Sequence, residues 1–252
     1  MPSIQNIYDD PTFHEGYRSL RESGTGLNDV LEQPALRSLL PKSLTGLDIL
    51  DLGCGFGDFA RYARQQQAAS VSCMDISAKM LAAAQQMTDD TAIVFAKGTI
   101  ENLAATPFAN SQFDLIVSSL ALHYVADYRA ALSDITARLK PGGRLLFSVE
   151  HPICTALAAQ KWHQDEAGND LFWPVDNYRD EGPRHTRWFV DGVIKYHRTT
   201  ESYVNGLLDA GLQIIRLLEP EPQKEATDAK WNNHRRRPPF LLLAAQKPRP
   251  RW

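Results

Sequence analysis

The chain has 252 residues, 43% of them apolar, with a formal net charge of −3 and a pI near 6.2. That is enough for one large α/β domain with an insertion, and too little positive charge for a general nucleic-acid or acidic-membrane footprint, so a small-molecule partner is expected and neither of those two is. Cys54, Cys73 and Cys154 are odd in number without C-x-x-C spacing, the first residues show no secretory leader, and no run approaches the ~18 apolar residues of a membrane span, so a cytoplasmic protein without a structural metal is expected.

Residues 12 to 40 read as helical. Phe13, Tyr17 and Leu20 recur at helical spacing, and Leu27, Val30, Leu31, Leu36, Leu39 and Leu40 form a second amphipathic set interrupted at Pro34. Residues 1–45 are expected to form an N-terminal helical cap on a domain spanning 46–252. From residue 46 the period changes. Strands at about 47–52, 70–75, 92–96, 113–119 and 143–149 alternate with helices at about 57–67, 77–87 and 127–139, which implies a doubly wound, Rossmann-like, mostly parallel sheet with right-handed crossovers. Ser77 and Asp127 are placed to cap the second and third of these helices, and Pro141-Gly142-Gly143 reads as a stop and turn before the fifth strand.

The pattern breaks over about 151–197, a stretch rich in Trp, His, Asp, Pro and Gly. Loops of that length are usually functional or disordered, and Trp162, Phe172, Trp173, Trp188 and Phe189 are too many large aromatics for a linker, so an ordered lid inserted after strand 5 is expected. A helix at 199–210 and strands at 212–218 and 240–246 complete seven strands with a reversed C-terminal edge. The tail from Lys247 is expected to be mobile.

The most informative segment is 49–58, an apolar strand running into Gly53, Gly55 and Gly57. Gly53 and Gly55 can take positive φ and let the backbone lie against a ligand, and Gly57 lets the next helix begin close to the sheet. A dinucleotide loop wants glycine or alanine where this chain has Asp58, whose carboxylate repels phosphate; G-x-G-x-G with Asp51 suits a cationic, phosphate-free ligand.

The run LDLGCGFGDFA resembles the first motif of class I S-adenosylmethionine (SAM)-dependent methyltransferases. The strand ending in Asp75-Ile76-Ser77, the segment 96–102, the strand and ALHYV segment over 113–125, and LKPGGRLLF at 139–147 follow in the family's order, so the resemblance covers about residues 45 to 150. The absence of Asn/Asp-Pro-Pro-Tyr/Phe after the fourth strand argues against base-amine methylation, and the whole is similar to the small-molecule, methyltransferase type 11-like branch. His151-Pro152, Glu181-Gly182-Pro183-Arg184 and 195–199 (KYHRT) are shared more narrowly with a set of bacterial proteins.

The resemblance implies SAM as methyl donor, S-adenosylhomocysteine (SAH) as product and a monomer or homodimer. It puts Asp51, Gly53, Cys54 and Gly55 along the methionine part, with Ser118 and Leu120 beside it. Asp75 would lie on the ribose hydroxyls, Ile76 and Met80 against the adenine, and Thr99, Ile100 and Glu101 at its edge. Tyr17 and Arg21 would cover the cofactor, with Arg21 pairing its carboxylate. Methyl transfer is an in-line displacement dominated by positioning, and a base is needed only where the nucleophile must lose a proton. His123, His151 and His197 are the candidate bases, and Tyr178, His185, Tyr196 and Arg198 the candidate substrate-binding residues. The expected activity is methyl transfer to an O, N or C nucleophile of a small aromatic or anionic metabolite. A non-catalytic SAM sensor and an NAD(P)-dependent oxidoreductase are the alternatives. The basic cluster at Arg235–Arg237 reads as a solvated edge.

Overall fold

A computed structural model describes residues 4–222 and 231–250. Its centre is a seven-stranded sheet with the order β3-β2-β1-β4-β5-β11-β10. The strands are β1 (Asp48–Leu52), β2 (Ser70–Asp75), β3 (Ile93–Lys97), β4 (Phe113–Ser118), β5 (Leu139–Glu150), β10 (Gln213–Leu218) and β11 (Phe240–Gln246). β1 to β5 pair in parallel, and β11 runs antiparallel to both β5 and β10. The reversed C-terminal strand is therefore set one place in from the edge, and β10 is outermost.

Alternation along the strands divides two cores. Leu50, Leu52, Ile116, Phe147, Val149 and Leu241 face α5 (Tyr128–Ala137) and α7 (Thr200–Asp209). Ile49, Val71, Leu115, Val117, Leu146 and Leu242 face α2 (Gln33–Ser38), α3 (Asp58–Gln65) and α4 (Ala78–Gln86). The expected caps form: Ser77 accepts from the Met80 amide at 3.0 Å and Asp127 from the Ala130 amide at 2.9 Å.

Three local expectations change. The N-terminal helical run breaks at Gly24, whose φ of 61° ends α1 (Pro11–Ser23), and not at Pro34, which sits in the first turn of α2 where no amide hydrogen is needed. A π-helical turn at Asn28–Glu32 leads into α2. β5 already pairs at Leu139, opposite Phe113, so Pro141-Gly142-Gly143 forms an irregularity inside a longer strand rather than a turn before it.

The segment between β5 and α7 holds α6 (Pro152–Thr155) and two hairpins, β6 (His163–Gln164) with β7 (Asp170–Phe172) and β8 (Gly182–Trp188) with β9 (Val190–His197). The second hairpin turns tightly at Phe189, φ 59°, and its tip meets α1. A Cβ on Gly16 would come within 2.6 Å of the Phe189 ring, which explains a glycine in mid-helix. Trp188 and Phe189 lie edge-on to Phe13 at 5.2 and 5.5 Å, and Gln5 exchanges hydrogen bonds with the Gly192 carbonyl and the Ile194 amide, each 2.9 Å. Trp162 and Trp173 pack elsewhere, beneath the guanidinium groups of Arg236 and Arg237. Two members of the arginine cluster therefore stack on tryptophan, and Arg237 is buried. No described helix is long and apolar enough to cross a membrane. Of the tail, residues 251–252 lie outside the described ones.

Candidate active site

A cavity of about 480 Å³ opens above the carboxyl ends of β1, β2 and β4, where the strand order reverses. Its floor is the glycine loop. Gly53, Gly55 and Gly57 take φ of 76°, 53° and 75°, and Gly57 caps α3 with Phe95 of β3 within 3.2 Å of where its Cβ would stand. Asp58 follows in the first turn of α3 and pairs with Arg21 at 2.9 Å and Arg61 at 2.5 Å.

Asp75 ties the loop to the next turn: Oδ2 accepts from the Gly55 amide at 2.9 Å and Oδ1 from the Ser77 amide at 2.8 Å. Burial pushes its carboxyl up, against the pull of these amides. Asp51, 2% exposed, is pushed up to about 8 by burial and by the charges of Asp75 and Asp58, and its Oδ2 has no hydrogen-bond partner. The Oδ1 of Asn28 on the π-helical turn is likewise unpartnered, while Glu32 accepts from Asn28, Gln33, Ser119 and Ser148 and so locks that turn to the ends of β4 and β5. Among the described residues no cluster of side chains is arranged to hold a metal ion.

The far wall is aromatic. Tyr8, Tyr17, Tyr124 and Trp188 line it together with His123 and Glu150. Tyr8 lies edge-on to Tyr17 at 5.3 Å and to Tyr124 at 6.0 Å, and its hydroxyl lies 3.3 Å from that of Tyr124. Tyr17 also stacks on Phe56 of the glycine loop at 6.0 Å, so it stands where floor and wall meet.

A family profile described as "Methyltransferase domain" matches residues 50–147, the stretch that builds this floor. A solved S-adenosylmethionine dependent methyltransferase from Mesorhizobium loti is 40% identical, with 88% of this chain and all of that one covered and a TM-score of 0.78. This chain belongs to the class I SAM-dependent methyltransferases. A Haemophilus influenzae protein described as uncharacterized is 35% identical over 96% of this chain and 97% of its own. A malonyl-[acyl-carrier protein] O-methyltransferase of Pectobacterium atrosepticum is 35% identical over 51% of this chain and 48% of its own.

Of the residues expected at the methyltransferase's cofactor, Tyr17, Arg21, Asp51, Gly53, Cys54, Gly55, Asp75, Ile76, Met80, Thr99, Ile100, Glu101 and Leu120 all line the cavity. Ser118 does not; it is fully buried and its hydroxyl donates to the Leu52 carbonyl, bracing β4 against β1. Gly53 has a structural duty besides, since its Cβ would fall 2.5 Å from that of Ala121.

The histidines separate. His123 reaches the cavity, buried, with burial lowering its pKa to about 3. Its Nδ1 accepts from the Glu150 amide, which leaves the ring proton on Nε2. His151 lies outside: Nδ1 accepts from the Ile153 amide to cap α6, and Nε2 meets Glu219 at 2.8 Å. His197, also outside and completely buried, has Nδ1 2.7 Å from the Thr155 hydroxyl and Nε2 2.9 Å from the Tyr178 carbonyl. Neither has a ring nitrogen left for a substrate.

The four candidate substrate residues also lie off the cavity. The Tyr178 hydroxyl accepts from the Thr200 amide, and Arg198 donates to the Val125 and Ala126 carbonyls with its guanidinium over Tyr128 and Tyr196. His185 is exposed on β8. Tyr178, His197 and Arg198 are therefore internal support for the hairpin. Tyr8, Asn28, Gln33, Tyr124, Glu150 and Trp188 line the cavity without having been singled out as site residues. Tyr8 and Asn28 lie outside the family's motif stretch, while Tyr124 and Glu150 stand beside the two histidines that drew attention instead.

Proposed function

We propose that the methyltransferase binds SAM along the glycine loop and transfers its methyl group to a small aromatic or anionic metabolite held against Tyr8, Tyr17, Tyr124 and Trp188. The observation that carries this reading is one continuous cavity with a polar glycine floor and an aromatic wall. The unpartnered Oδ atoms of Asp51 and Asn28 fit the donors of an α-ammonium group, and Arg21, although held at 2.7 Å by Asp29 and at 2.9 Å by Asp58, is the cation nearest in kind to a carboxylate partner. Asp75 keeps one lone pair on each oxygen beyond its two amide bonds, the arrangement needed to accept two ribose hydroxyls. Ile76, Met80, Thr99, Ile100 and Glu101 would take the adenine. When bound, SAM supplies an electrophilic methyl carbon; the chain's own residues orient the acceptor and exclude water. With its proton on Nε2, His123 would donate to the acceptor rather than act as base.

Calorimetric titration with SAH beside NADH tests the reading. SAH should bind and NADH should not, and Asp75→Asn should weaken SAH by roughly tenfold to a hundredfold, the worth of one or two hydrogen bonds to a charged group. NADH binding without SAH binding would overturn it. Tight SAH binding with no transfer to any acceptor would favour the non-catalytic sensor.

A further inference from the structure

Beyond that reading, and resting on it, the far wall constrains the chemistry of the acceptor. The groups there that could take a proton are weak bases, although the buried Oε2 of Glu150 has no hydrogen-bond partner. His123 turns Nδ1 to the Glu150 amide. Glu150 is paired through Oε1 with Lys195, which is buried and lies 5.0 Å above the Trp188 ring. Burial raises the Glu150 carboxyl, but the charge and hydrogen bond of Lys195, with the charge of Arg237, hold the group below its usual range, so it stays ionised and is a weak base. Burial holds Tyr8, Tyr17 and Tyr124 above the usual phenol range, so each keeps its proton.

The same wall offers donors. If Tyr8 donates to Tyr124, the Tyr124 proton remains free; no hydrogen bond to the Tyr17 hydroxyl occurs among the described residues. At Tyr124 the positive potential of Lys195 is opposed by the charge of Glu150, with Lys195 the larger of the two. The carboxylates that line the rest of the cavity, Asp29, Asp51, Asp58, Asp75 and Glu101, belong to the end expected to take the cofactor, and the one carboxylate of the far wall is ion-paired with Lys195.

We infer that the acceptor is a small aromatic carboxylate, held through its oxygens by the hydroxyls of Tyr124 and Tyr17, and that it is methylated on oxygen to an ester. Such an acceptor needs no base. A lone pair of the carboxylate oxygen forms the O–CH₃ bond, the C–S bond breaks with its electron pair going to sulfur, and no proton is released. The ring lies against Tyr8 and Trp188, whose faces supply the apolar contact. Tyr124 and Tyr17 are then acceptor-binding residues, and the Glu150–Lys195 pair is a positioning element that fixes the charge behind them.

The test is calorimetry on the protein saturated with SAH, using benzoate, benzamide and benzylamine as probes. Benzoate should bind and the other two should not. Tyr124→Phe and Tyr17→Phe should each weaken benzoate by roughly tenfold, the loss of one hydrogen bond to a charged group, while Tyr124→Phe leaves SAH affinity unchanged. Binding of benzylamine in preference to benzoate, benzoate affinity indifferent to both substitutions, or no benzoate binding at all would each overturn the inference. Failure of SAH itself to bind is a different result and would strike the cofactor reading instead.

Discussion

Replacing Gly53 and Gly55 separately by alanine distinguishes two jobs that one motif conceals. At Gly53 a side chain meets two penalties. The left-handed backbone at φ 76° costs about 1–2 kcal/mol for an L-residue, and a Cβ 2.5 Å from that of Ala121 adds overpacking of about 1–3 kcal/mol. The sum is about 2–5 kcal/mol, and for a domain of this size each kcal/mol lowers Tm by about 2–4 °C, so Gly53→Ala should melt some 4–20 °C below the parent. At Gly55 only the backbone term applies, because φ is 53° and nothing lies within 4 Å of the new methyl group. Gly55→Ala should therefore lose only about 2–8 °C, yet its methyl group projects into space meant for ligand, and SAH affinity should fall sharply. Differential scanning calorimetry reads the first quantity and isothermal titration the second. Adding Ala121→Gly to Gly53→Ala should restore the packing part of the loss and leave the backbone part. A Gly53→Ala protein melting within about 2 °C of the parent, or one less damaged than Gly55→Ala, would refute the division.

Three further outcomes follow from the same geometry. Asp51 is protonated in the folded ligand-free protein up to about pH 8 and ionised in the unfolded chain above its ordinary value of 3.8, so stability falls as pH rises between the two. Asp51→Asn should remove that slope, gaining on the order of 5 kcal/mol relative to the parent above pH 8, as read from melts at pH 5.5 and 8.5; parallel curves for the two proteins would rule this out. His197→Ala leaves the Thr155 hydroxyl and Tyr178 carbonyl without their partner, and should cost about 2–5 kcal/mol of stability while SAH affinity stays within twofold; a loss of affinity without a fall in Tm would return His197 to the site. Lys195→Met strands the buried Glu150 charge and should destabilise by about 3–5 kcal/mol, whereas Lys195→Met combined with Glu150→Gln should recover most of it, a double-mutant cycle that simple additivity would contradict.

The glycine floor of the cavity was legible in the sequence because it is local. Strand, glycine loop and following acid lie within the span from Asp48 to Asp75, and spacing alone puts them on one edge of a sheet. Ser118 shows the limit of that logic, because the strand's alternation turns its side chain inward to the Leu52 carbonyl while Leu120, two residues on, turns out with φ 50°. The aromatic wall was not legible. Histidines at element ends attract attention as bases, yet His151 caps a helix and His197 ties a hairpin, and both roles depend on Glu219, Thr155 and Tyr178, partners that no local pattern announces. Tyr8 and Trp188 come together across 180 positions of sequence through Phe13 and Tyr17, a relation that periodicity cannot reveal.

The place of β11 also bears on how the sheet is completed. Synthesis delivers β10 before β11, yet β11 is the strand that joins β10 to the rest, pairing along β5 from Phe240 against Glu150 to Gln246 against Arg144. Until it arrives, β5 presents an unpaired edge flanked by Leu145, Leu146, Phe147 and Val149, an invitation to other nascent chains. The interval between emergence of β5 and of β11 is therefore a period of exposure to misassembly. Slowing elongation over this interval should raise the aggregated fraction, and a holdase present during it should lower it.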